Sequence, residues 1–67
     1  MAQYQVFWTA PGDDPKSTTI EDERNLRGLG ITLRDEGCLI TREAPGRLHQ
    51  GRELLIPASA IKMIIPF

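Results

Sequence analysis

What most limits the fold of this chain is the spacing of its breakers. Short runs rich in aromatic, aliphatic and β-branched residues are separated by segments bearing Pro or Gly at residues 10–15, 35–37, 44–46 and 57–60. Runs of about 4–8 such residues have the length and composition of strands, and the intervening residues have the chemistry of turns. The first run, QYQVFWT at residues 3–9, places Tyr4, Val6 and Trp8 at the period of two expected of a half-buried strand. Residues 10–15 then combine two prolines, a glycine and two aspartates, so the backbone leaves the sheet there.

Residues 17–30, STTIEDERNLRGLG, admit two readings. As a helix near residues 18–28, the segment has Thr18 and Glu21 at capping-box spacing, Arg24 and Arg27 near its end, and terminal glycines. It has no core-facing stripe, because Ile20, Leu26 and Leu29 do not follow the 3, 4 and 7 spacing. As a strand fading into an irregular connection, Thr18, Thr19 and Ile20 form the return arm of a hairpin with the first strand. The strand reading is the one adopted.

Further along, Ile31-Thr32-Leu33, the turn Asp35-Glu36-Gly37 and Cys38-Leu39-Ile40-Thr41 read as a hairpin. Ala44-Pro45-Gly46 ends the return arm, and the polar residues 47–52 cross the surface. Glu53 to Ile56 restarts a strand, Pro57 interrupts it for one turn, and Ile61 to Ile65 resumes as a last apolar strand. Five or six short antiparallel strands in one small domain define a mainly all-β fold, a small barrel or curled sheet of SH3-like or Sm-like type. The alternative is α+β, with the one short helix near residues 18–28. The ending Ala60-Ile61-Lys62-Met63-Ile64-Ile65-Pro66 resembles the last strand of the bacterial Sm-like RNA chaperones, a resemblance that covers about a tenth of the chain and bears on the fold alone.

At 67 residues the chain holds one core, and a domain of this size has stability of only ~3–5 kcal/mol without a supplement. Cys38 is the single cysteine, so no intramolecular disulfide forms. Cys38 and His49 offer two ligands where a structural zinc needs about four. Self-association is the remaining stabiliser. No stretch has the apolar length of a signal peptide or a membrane span, and a cytoplasmic location is expected. Residues 1–36 carry seven acids and four bases, a balance of −3, whereas residues 37–67 carry two acids and four bases, a balance of +2.

Several residue groups are candidates for function, each with a plainer structural role beside it. Ile61, Met63, Ile64, Ile65 and Phe67 make the last strand more apolar than one buried face requires, which points to a partner contact on Ile61, Met63, Ile64 and Phe67. Arg42, Arg47, Arg52 and Lys62 form an anion or nucleic-acid candidate, with Gly46 and Gly51 allowing close approach, although no aromatic residue lies among the three arginines. Tyr4 and Trp8 are expected in the core. Cys38 is expected to be a buried, inert thiol and His49 an ordinary surface histidine. The acids Asp13, Asp14, Glu21, Asp22 and Glu23 are read as a solvated face.

No catalytic, cofactor or metal constellation is legible, and a chain this short is expected hardly to enclose a cleft of the ~300 Å³ that ligand sites occupy. The sequence therefore reads as a non-enzymatic interaction module with no cofactor, metal or membrane partner. It associates with itself or with another protein, and a nucleic-acid-binding barrel is the alternative.

Overall fold

The computed structural model describes residues 1–47 and 50–67. Leu48 and His49, the latter a candidate above, lie outside the described residues. The chain forms β1 (Ala2–Trp8), β2 (Lys16–Asp22), helix α1 (Leu26–Glu36), β3 (Cys38–Glu43), β4 (Glu53–Pro57), a single 3₁₀ turn (Ala58–Ala60) and β5 (Ile61–Pro66). The strands make one antiparallel sheet in the order β4-β3-β2-β1-β5.

The first hairpin forms as its alternation predicts, with β1 and β2 in register from Ala2↔Asp22 to Trp8↔Lys16. The strand, single turn and strand at the end also form as expected. Of the two sheet forms expected, the curled sheet is the one present; the sheet is not closed into a barrel, and β4 and β5 are its two edges. Pairing between β2 and β3 is brief, limited to Ile20↔Glu43 and Glu21↔Arg42, because the two strands are staggered and only their far ends overlap.

That helix corrects two expectations. Residues 31–33 are helical rather than the first arm of a hairpin, and the helix begins eight residues after position 18. Its start is set by Asn25, whose side chain accepts a hydrogen bond from Gly28 N–H at 2.7 Å. Its core contacts come from Leu29 and Leu33, four residues apart, while Leu26 in its first turn is 44% exposed. Leu29 is fully buried and Leu33 packs on the core cluster. Gly37 ends the helix in the left-handed region at φ 74°, with its N–H donating to the Leu33 carbonyl at 3.0 Å. The expected turn glycine is thus a helix C-terminal residue.

The core lies between the helix and the concave sheet face, where Tyr4, Val6, Ile20, Leu29, Leu39 and Ile56 are buried. Trp8, Leu33, Leu54, Ile61 and Ile64 pack against them. The helix covers at one end the apolar face that barrel closure would otherwise bury.

One polar cluster is built into this packing. The buried Asp22 carboxylate accepts hydrogen bonds from Arg24 Nε (2.8 Å), Arg24 Nη2 (2.7 Å), the Arg24 backbone N–H (2.9 Å) and Thr41 Oγ1 (2.7 Å). Arg24 also donates to the Ile40 carbonyl and to Thr32 Oγ1, while Tyr4 Oη donates to the Arg24 carbonyl at 2.7 Å. The cluster ties β1, β2, the helix and β3 together. It also removes Asp22 from the solvated acidic face expected of residues 21–23.

Candidate functional site

Two surfaces stand out. Because Tyr4, Val6 and Trp8 point to the concave face, the alternation of β1 turns Phe7 to the opposite, outer face. In the β1–β5 ladder Phe7 lies opposite Met63, and Gln5 lies opposite Ile65. Met63 is 53% exposed, Ile65 43% and Phe67 79%, with Phe7 half-buried. These residues make an apolar outer row at one edge of the sheet. At the other edge Ile40 and Leu55 form a directly opposed, exposed pair. Between the two edges the outer residues of β2, Ser17, Thr19 and Glu21, are polar.

The four residues expected at a partner contact are divided by this geometry. Ile61 and Ile64 pack on the core, opposite Trp8 and Val6 respectively, while Met63 and Phe67 are exposed. The last strand is unusually apolar because one face serves the core and the other carries the outer row. Phe7 and Ile65, absent from the expected set, complete that row; the period of two along β1 is the sequence signal that reveals Phe7.

The second surface is a groove of about 720 Å³. The space is open to solvent and is not the enclosed cleft that so short a chain is expected to lack. Its lining includes Trp8 and Pro11, Leu54 and Ile56 of β4, and Ala60 and Lys62. Trp8, expected in the core, packs against the core cluster and is half-buried, and it also lines this groove. Its Nε1 donates to Thr18 Oγ1 at 2.9 Å, and Lys16 Nζ sits 5.7 Å from the ring centroid in a cation–π contact. Arg52 lines the groove as an ion pair with Glu43, Nη2 to Oε1 at 2.9 Å.

The basic candidates do not share one face. Arg52 and Lys62 meet in the groove, Arg42 lines a separate hollow beside Glu21, Asp22 and Glu23, and Arg47, exposed in the connector, lines neither. Arg42 donates to the Gly51 carbonyl at 3.2 Å. Gly51 serves a close approach within the chain: its φ is +86°, and a Cβ there would meet the Glu43 carbonyl oxygen at 2.7 Å.

The Asp22 carboxyl is held well below the usual carboxylate range, first by the Arg24 side chain and then by the Arg24 backbone N–H and the Thr41 hydroxyl, against an opposing effect of burial. Arg24 is correspondingly shifted upward by Asp22. This is the signature of a structural pair. Cys38 is a half-buried free thiol at the start of β3. Among the described residues no group of three or more His, Cys, Asp or Glu is placed to hold a metal ion, and no helix is long and apolar enough to cross a membrane.

No protein-family model matches the chain, and neither a curated protein nor a solved structure matches it significantly.

Proposed function

We propose that this chain is a non-enzymatic protein-interaction module that self-associates through the outer face of β1 and β5, and that it acts in the cytoplasm as a regulator or accessory factor. The observation that carries the reading is the row of Phe7, Met63 and Ile65, exposed or half-exposed on a face with no helix against it. In a domain with so small a core, burying that row against a second copy adds stability that the monomer lacks. The strand order, with a single 3₁₀ turn leading into the last strand, supports classing the sheet as an opened SH3-like or Sm-like barrel. The nucleic-acid alternative is weaker, since phosphate binding needs several cations acting together and the four candidates are divided between surfaces.

Light scattering of the wild type and of Met63→Glu tests the reading. The expected result is a wild-type mass that is a multiple of 7.5 kDa and a folded Met63→Glu monomer. A wild type of 7.5 kDa at every concentration overturns it. Met63 is the position to vary, because Ile64→Glu would put a charge on the core side.

A further inference from the structure

The groove has features that the self-association reading does not use. Its lining includes four consecutive residues of β4, Leu54, Leu55, Ile56 and Pro57, so it borders the strand's free edge as well as its concave face. The direction of that edge follows from two hydrogen bonds. Glu43 N–H donates to the Arg52 carbonyl at 2.8 Å, and Ala58 N–H donates to the Gly37 carbonyl at 2.9 Å. In an antiparallel ladder the bonded residues alternate, so Arg52, Leu54, Ile56 and Ala58 bond to the β3 side. Glu53 and Leu55 therefore turn both N–H and C=O toward the free edge, and Pro57 its carbonyl. Five residues of β4 give a template about 17 Å long.

The charge around this template runs against that of the whole molecule. The chain has a net charge of −1, yet the groove carries Arg52 and Lys62, and Lys16 stands over its Trp8 wall. The single acid in the lining, Glu43, is engaged by Arg52. Lys62 is exposed and makes no ion pair among the described residues. Asp13 and Asp14 lie in the neighbouring turn but do not line the groove, and Glu53 sits at the opposite end of β4 from Pro57.

We propose that the groove is a docking site for an extended acidic peptide segment that adds as a strand to the free edge of β4, packs an apolar side chain against Trp8 and directs carboxylates to Lys62 and Lys16. Main-chain pairing supplies a mode of binding available to any extended segment, and the lysines select acidic ones. The peptide's carboxylates belong toward the Pro57 end, away from Glu53. The proposal rests on the interaction-module part of the reading above and is independent of self-association, which uses the other face.

Trp8 is the only tryptophan, so its fluorescence reports the groove directly. The test titrates the full chain with a seven-residue capped peptide alternating Glu with Val or Leu, with a Lys-for-Glu version, and with a version N-methylated at alternate positions. The Glu peptide is expected to shift Trp8 emission saturably. Lys62→Glu weakens that binding about tenfold, and alternate N-methylation, which leaves the protein untouched, weakens it at least about fivefold. Equal binding of the Lys peptide, equal binding of the N-methylated peptide, or no titration overturns the proposal. A shift of Trp8 emission with protein concentration alone also overturns it, since the groove would then hold a second copy. Light scattering on the same samples separates the two readings: a monomer that binds the Glu peptide removes self-association only, and a multimer that ignores it removes peptide docking only.

Discussion

Replacing Asp22 by Asn removes the one buried carboxylate among the described residues while keeping its volume. The carboxylate accepts four hydrogen bonds, three from Arg24 and one from Thr41. Charge-assisted bonds contribute about 1.5–3 kcal/mol each in isolation, and breaking a fully buried pair costs about 3–5 kcal/mol. Arg24 is 33% exposed, so water screens the pair and offsets part of the loss. The expected loss is about 2–3 kcal/mol at neutral pH, a large fraction of what a domain this size has. In urea, with a slope near 1 kcal/mol per molar, the Trp8-monitored midpoint falls by about 2 M or more. The pH dependence has a definite sign. Because the folded carboxyl titrates below its unfolded value of about 3.9, the wild-type advantage is fully present above pH ~4 and is lost as pH falls through the folded range. Asn does not titrate, so the difference between the two proteins is flat down to about pH 4 and shrinks below it. A loss under about 0.5 kcal/mol, or a difference that is unchanged between pH ~4 and ~2, would refute this account of the cluster.

Two further substitutions test how the connections are built. Gly51→Ala combines a positive φ with a Cβ 2.7 Å from a backbone oxygen, and a destabilisation of about 1–3 kcal/mol is expected in urea unfolding. Asn25→Ala removes the helix N-cap and is expected to cost about 1 kcal/mol, with a matching drop in the urea midpoint; an unchanged midpoint would place the helix start elsewhere.

The strands were largely legible because their side-chain period is two and their ends are marked by Pro and Gly. Tyr4, Val6 and Trp8 fixed the first, and Pro57 marked the break before the last. The helix is obscured in the sequence for a local reason. Gly28 and Gly30 stand inside it, and Ile31 and Thr32 favour strands, so propensity argues against a segment that Asn25, Gly37 and the buried Leu29 with Leu33 hold in place. A Cβ at Gly28 would lie 3.3 Å from both Arg24 Cβ and Asn25 Oδ1, a tight contact with two side chains.

The surfaces were legible only in part. Met63 could be found from the excess apolarity of its strand, but separating it from Ile64 requires the register Phe7↔Met63 and Val6↔Ile64. The groove depends on bringing residues 8–11 beside residues 54–62, a juxtaposition that needs the curl of the sheet, since β4 and β1 are not neighbours in it, and that is invisible along the chain. The Asp22–Arg24 pair was hidden within a run of charges because only tertiary packing separates the buried acid from its exposed neighbour Glu23.

The claim that the outer β1–β5 face is a self-association surface is tested most directly by following backbone amide shifts of the isotope-labelled protein through a dilution series. Concentration-dependent shifts are expected at Phe7, Met63 and Ile65, with Leu54, Ile56 and Trp8 unmoved. Shifts confined to the β4 side, or none at any concentration, would contradict it.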